Sequence, residues 1–182
     1  MNLIGIAGSL RTGSFNSALL RAAAELMPSG TSLTIATIRD IPLYDGDLEA
    51  QGAPQAVVSL KDQIANSDGL LLATPEYNHS IPGVLKNAVD WLSRPPSDIP
   101  RVFHKLPVAL VGASSGGFGT VLAQEAWLPV LRALGTQPWF GQRLLVSRAS
   151  SVFDESGNLT DDKTRDQLRE YLAGFTEFAG RR

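Results

Sequence analysis

The chain has 182 residues, 43% of them hydrophobic, and no cysteine, which excludes a disulfide framework, a thiolate metal site and a redox thiol. Its 16 basic and 18 acidic side chains leave a formal charge of −2, too even a balance for a nucleic-acid binder. No apolar run reaches the length of a membrane span and the first residues lack the basic flank of a secretory signal, so the expectation is one cytoplasmic domain over 1–182 built around a single core.

Residues 2–7 are apolar and stop at Gly8, which predicts a buried strand ending in a turn. Phe15, Leu19, Ala22, Ala23 and Leu26 then recur at helical spacing, with Ser14 or Asn16 as the cap. The first amides of such a helix lack intrahelical partners and its dipole favours negative charge. Ser9, Ser14 and Asn16 add neutral polar groups, and Arg11 can fork onto phosphate oxygens. Neither G-x-x-x-x-G-K-[ST] nor G-x-G-x-x-G is present, so a single terminal phosphate suits this turn better than a P-loop nucleotide or a dinucleotide pyrophosphate.

Residues 31–37 read as a second strand, 41–54 as a polar loop, 55–66 as a helix and 68–74 as a third, buried strand. A loop over 75–80 follows, and Pro82 opens a helix through Leu92. After a proline-rich loop over 94–105 come a strand at 107–113, a Gly/Ser-rich turn at 114–119 and a helix through Leu134. Pro129 should kink or break that helix, because an interior proline removes a hydrogen bond and costs about 3 kcal/mol. A fifth strand at 143–147 precedes a last helix with Leu168, Leu172, Phe175 and Ala179 on one side, and 180–182 reads as a frayed tail.

This alternation predicts a doubly wound α/β fold with a five-stranded parallel sheet, whose ligands sit beyond the carboxyl ends of the strands. The loops 8–15, 75–80 and 114–119 therefore belong together. Pro75 stiffens its turn, while Glu76, Tyr77 and Asn78 offer outward amides, an aromatic body and a side-chain amide for the edge of a planar heterocycle. Ser115, Gly116 and Gly117 carry so little bulk that their backbone can approach a flat ring closely.

Gly8-Ser9-Leu10-Arg11, Ser14-Phe15-Asn16, Pro75-Glu76-Tyr77-Asn78, the run Pro82 to Leu92 and Gly112 to Gly117 together closely resemble the NAD(P)H-dependent FMN reductases, a flavodoxin-like family that includes chromate, quinone and azo reductases. The resemblance spans residues 3–134 and takes in Ile41-Pro42-Leu43-Tyr44-Asp45. It implies that Ser9, Arg11, Ser14, Phe15 and Asn16 hold the phosphate of FMN. Pro75, Glu76, Tyr77 and Asn78 would border the isoalloxazine, and Ser115, Gly116 and Gly117 would approach its other side. It also implies NADPH or NADH as co-substrate and a small-molecule electron acceptor. The chain departs from the pattern at Gly119 and Glu125, where many relatives carry basic residues, and at Pro129.

With the chemistry on the flavin, no protein nucleophile is required. Ser114-Ser115 lacks a G-x-S-x-G setting, and His79 and His104 are isolated loop histidines without metal-ligand spacing. Glu76 reads as a backbone-positioning group. The alternative is a flavodoxin-like electron carrier or flavin sensor. Ile81, Leu85, Ala88 and Leu92, flanked by Val84, Trp91 and Val89, form an arc wider than a sheet-covering helix needs, which points to a homodimer or tetramer assembled through this helix.

Overall fold

In the computed structural model, which describes residues 1–181, the apolar runs form strands and the 3.6-residue patterns form the helices that cover them. In chain order the elements are β1 (Asn2–Ala7), α1 (Phe15–Glu25), β2 (Ser32–Ala36), α2 (Gly46–Ala50), α3 (Gln55–Ala65), β3 (Gly69–Ala73) and α4 (Gly83–Leu92). Then follow α5 (Ile99–Val102), β4 (Pro107–Ala113), α6 (Val121–Ala133), β5 (Gln137–Pro138), β6 (Leu144–Val146) and α7 (Asp162–Ala179). The pairings are parallel in the order β2-β1-β3-β4-β5, with β6 also on β4. This is the expected doubly wound, flavodoxin-like arrangement, and its strand order reverses between β1 and β3, the place where sheets of this kind take ligands beyond their carboxyl ends.

Side-chain alternation along the strands divides the core into two layers. Leu71, Ala73, Ala109 and Val111 pack under α1 and α7, whereas Leu70, Leu72 and Val108 pack under α3, α4 and α6. Among the described residues no helix is long and apolar enough to cross a membrane.

Several sequence expectations need correction. The fifth strand is split: β5 pairs with Pro107 and Val108 and β6 with residues 111–113, leaving Leu110 between them without a strand partner on that side. The Tyr171 hydroxyl on α7 donates to the Leu110 carbonyl at 2.8 Å and so replaces the missing strand. Burial pushes the Tyr171 phenol well above its ordinary range, which keeps it a donor. The loop over 41–54 contains α2, capped by the Asp45 carboxylate accepting from the Asp47 N–H at 2.8 Å. The loop over 94–105 contains a 3-10 turn (Pro96–Asp98) and α5, held down by the buried Lys61 ammonium, which donates to Asp98 at 2.8 Å and to the Arg94 carbonyl.

Helix α6 runs unbroken through Pro129. Pro129 and Glu125, the residue whose carbonyl loses its partner, are both exposed, so that carbonyl is open to water, while Trp127 and Leu131 hold the opposite face in the core. The apolar arc of α4 is covered by its own chain. Trp91 is 0% exposed, its indole N–H donates to the Pro42 carbonyl at 2.9 Å, and Tyr44 meets its ring edge-on at 5.1 Å. Trp91 therefore anchors the 41–44 segment within one chain and is not free to form a dimer interface. Of the expected frayed tail, Gly180 caps α7 and Arg181 pairs with Glu177, and Arg182 lies outside the described residues.

Candidate functional site

The first loop leaves β1 at Gly8, whose N–H donates to the Ala73 carbonyl at 2.9 Å and thereby extends the β1–β3 ladder past the strand. A Cβ at Gly8 would lie 2.7 Å from Leu85 Cδ2 and 2.9 Å from Pro75 Cδ, so only glycine lets this loop sit against the loop after β3. Ser14 is the N-cap of α1, its hydroxyl oxygen accepting from the Ser17 N–H at 3.2 Å. The N–H groups of Phe15 and Asn16 have no acceptor among the described residues, as the opening turn of a helix dictates. Exposed Arg11 lies over the Phe15 ring, which in turn stacks on Phe153 with centroids 5.9 Å apart. A cleft of about 530 Å³ opens beside Arg11, Ser14 and Phe15.

Asn16 has a different task from the one its sequence position implies. Its buried side chain donates to the Ala113 carbonyl and accepts from the Ala113 N–H, both at 2.9 Å, clamping the start of α1 to the end of β4. As a phosphate ligand Asn16 can contribute its backbone N–H, and its carboxamide is a positioning group.

The second loop closes through a tight turn. Tyr77 and Ser80 exchange two backbone hydrogen bonds of 3.1 Å, and the two residues between them, Asn78 and His79, have φ of 51° and 61°. Two consecutive positive φ values are the signature of a type I′ turn, and Asn78 tolerates them well. The Tyr77 hydroxyl donates to Ser9 Oγ at 3.4 Å, linking this loop to the first. Buried Pro75 sets the start of the loop. Glu76 turns away from solvent, its Oε2 accepting from the N–H groups of Leu122 (2.9 Å) and Ala123 (3.1 Å). Thr120 provides no side-chain cap for α6, so Glu76 caps that helix from another loop.

The third loop follows β4. Ser114 Oγ donates to the Gly119 carbonyl at 2.6 Å and draws the loop into a ring that leaves Ser115, Gly116 and Gly117 exposed, with no acceptor for their N–H groups among the described residues. Two bonds the sequence does not announce hold the floor beneath it. Trp127 Nε1 donates to Thr74 Oγ1 at 3.0 Å, and Thr74 Oγ1 donates to the Pro75 carbonyl at 2.9 Å. A Cβ at Gly112 would overlap the Thr120 hydroxyl and lie 2.5 Å from the Thr74 carbonyl, so that position admits no side chain. The sequence signal for this floor was only the bare glycine, since its partners are far apart in the chain.

The three loops thus meet on one sheet edge. One end offers unpaired helix amides with a cation, which fit a terminal phosphate, and the other offers bare backbone amides with an aromatic side chain, which fit the edge of a flat heterocycle. FMN has both parts. Among the described residues no group of histidines and acids could hold a metal ion.

The family model for NADPH-dependent FMN reductases matches residues 1–150. The chain is 46% identical, over 94% of its own length and 91% of the relative's, to an NAD(P)H-dependent FMN reductase of Pseudomonas aeruginosa. It is 36% identical to the quinone reductase of Escherichia coli over 100% of this chain and 96% of that protein. The solved structure of FerB, a flavoenzyme NAD(P)H:(acceptor) oxidoreductase from Paracoccus denitrificans, superposes with a TM-score of 0.88 at 33% identity, covering 99% of this chain and 97% of that one. On fold, loop geometry and these similarities, the chain belongs to the NADPH-dependent FMN reductase family.

Proposed function

We propose that this protein is an FMN-dependent reductase that takes hydride from NAD(P)H and passes electrons to quinone-type small molecules. The observation that carries the reading is the placement of the α1 amides and Arg11 on the same sheet edge as the bare amides of Ser115, Gly116 and Gly117. The N–H groups of Phe15 and Asn16, the Ser9 and Ser14 hydroxyls and the Arg11 guanidinium hold the phosphate. Pro75, Glu76, Tyr77 and Asn78 border one side of the ring, and the 115–117 backbone lies along another. Bound there, FMN supplies a two-electron carrier that neither the cysteine-free sequence nor any side chain provides. The protein orients the ring and directs fixed dipoles at its polar edge, where charge develops on reduction.

An acceptor needs only to reach the exposed ring, so azo compounds and chromate belong to the same proposal as quinones. A second copy of this chain is the macromolecular partner we propose. Support comes from apolar side chains left open on this edge: Phe118 is 84% exposed, with Tyr77 and Leu122 close to half exposed.

Steady-state kinetics test the reading. With FMN bound, NAD(P)H and a benzoquinone should give parallel double-reciprocal lines, because donor and acceptor take turns at one face. Intersecting lines would refute turn-taking at one face, and no NAD(P)H oxidation by FMN-loaded protein would refute the reductase reading and favour an electron carrier.

A further inference from the structure

Arg148 stands out on three independent grounds. Its backbone is left-handed, with φ 48° and ψ 44°, a conformation that disfavours arginine and that glycine or asparagine adopts with little strain. Its side chain is exposed and makes no hydrogen bond or ion pair among the described residues, whereas most arginines here have a carboxylate or carbonyl partner. Its backbone is fastened to the third loop of the site. Ser114 N–H donates to the Val146 carbonyl at 2.9 Å, Arg148 N–H to the Gly116 carbonyl at 2.9 Å and Ala149 N–H to the Ser114 carbonyl at 3.0 Å.

These bonds continue the β4–β6 pairing beyond the sheet and carry Arg148 alongside Ser115, Gly116 and Gly117. A strained, unpaired guanidinium beside a ligand-facing loop is a feature that packing does not explain. The anion it serves is not the FMN phosphate. That phosphate belongs to the α1 end of the site with Arg11, and a ribityl chain separates it from the ring that the 115–117 loop borders. A quinone acceptor brings no fixed charge. Chromate is an anion, but every turnover, whatever the acceptor, brings the hydride donor, whose phosphates suit the arginine fork. We infer that Arg148 binds a phosphate of the nicotinamide dinucleotide while the nicotinamide lies on the flavin, an inference that rests on the reductase reading above.

The shared chemistry is a phosphate, from either the pyrophosphate common to both coenzymes or the 2′-phosphate of NADPH. Calorimetric titration of FMN-loaded protein with NADP⁺ and with NAD⁺ separates the two. Arg148→Asn keeps a residue suited to the left-handed backbone, and Arg148→Lys keeps the charge without the fork. Arg148→Asn should weaken dinucleotide binding about tenfold or more, with Arg148→Lys intermediate and FMN affinity unchanged. A loss confined to NADP⁺ assigns the 2′-phosphate, and equal losses assign the pyrophosphate. The apo form of Arg148→Asn should melt no lower than wild type, since the strain is relieved.

Unchanged affinity for both nucleotides in Arg148→Asn overturns the inference, as does a lowered melting temperature, which would make Arg148 a structural residue. A shift in flavin potential without a change in nucleotide affinity also overturns it and moves Arg148 to the ring itself. Wild-type protein that holds FMN and binds neither nucleotide sinks the reductase reading and this inference with it. Wild type that binds both, with Arg148→Asn matching it, sinks this inference alone.

Discussion

The Arg11 guanidinium carbon lies 5.5 Å from the Phe15 ring centroid, over a side chain that begins the same helix whose amides are free. Stacking holds the cation at the end of the helix where those amides lie, so the phosphate site we propose is preorganised before any ligand arrives. Arg11→Ala should therefore weaken FMN about tenfold or more while leaving riboflavin, which has no phosphate, near its wild-type affinity. Equal losses in fluorescence titrations with the two flavins would remove Arg11 from this role. The Ser14 cap and the start of α1 at Phe15 were legible in the sequence because capping and helix initiation are local chemistry. Asn16 looked like their companion, but its side-chain partner is Ala113, 97 residues away, and no local pattern reports that clamp. Arg148 was invisible for a similar reason, because its conformation follows from bonds to Gly116 and Ser114 and not from its own preference.

Among the elements, the split fifth strand departs most from expectation. A continuous strand would satisfy the Leu110 carbonyl from its own backbone, and here a phenol on a helix of the opposite layer does so. Trp139, in the interruption between β5 and β6, stacks edge-on against that same Tyr171 at 4.8 Å, so the irregular segment is packed and not loose. Tyr171→Phe keeps the ring and removes the donor, leaving a half-buried carbonyl unsatisfied. It should lower the unfolding free energy by about 1–3 kcal/mol. FMN affinity should stay unchanged, because β5 and the lower part of β4 lie away from the carboxyl edge. A denaturation midpoint equal to wild type would show that the Leu110 carbonyl finds another donor. Residues 143–147 were readable as strand from apolar pattern, whereas Gln137–Pro138 is too short to carry a period. The continuous α6 teaches a related lesson: the penalty for Pro129 depends on whether the orphaned carbonyl is buried, and burial is a tertiary fact.

At the scale of the whole molecule, the parallel sheet and the gathering of the loops 8–15, 75–80 and 114–119 at its carboxyl edge followed from strand–helix alternation, because few topologies satisfy short, right-handed crossovers. Association between copies was less legible. A helical wheel of α4 shows an apolar arc, but it cannot show that residues 41–44 fold back onto Trp91 and close it; Asn87 helps by donating to the Pro42 carbonyl at 2.8 Å and accepting from the Tyr44 N–H at 2.8 Å. Apolar surface is open on the carboxyl edge instead, where Phe118 follows Gly117 in the third loop and Leu122 stands in the first turn of α6. A second copy seated there would bury these side chains and narrow access to the flavin edge at once. Sedimentation at micromolar concentration should then give twice the chain mass of 19.5 kDa. The double variant Phe118→Asp, Leu122→Asp should sediment as a monomer, because two carboxylates would be forced into an apolar contact without partners. Neither side chain bonds to the fold, so its melting temperature should stay near that of wild type, unlike Trp91→Ala, which empties a core site and should cost about 3–5 kcal/mol. A wild-type monomer with full reductase activity would refute association as part of the function, and a double variant that remains dimeric would move the interface off this edge.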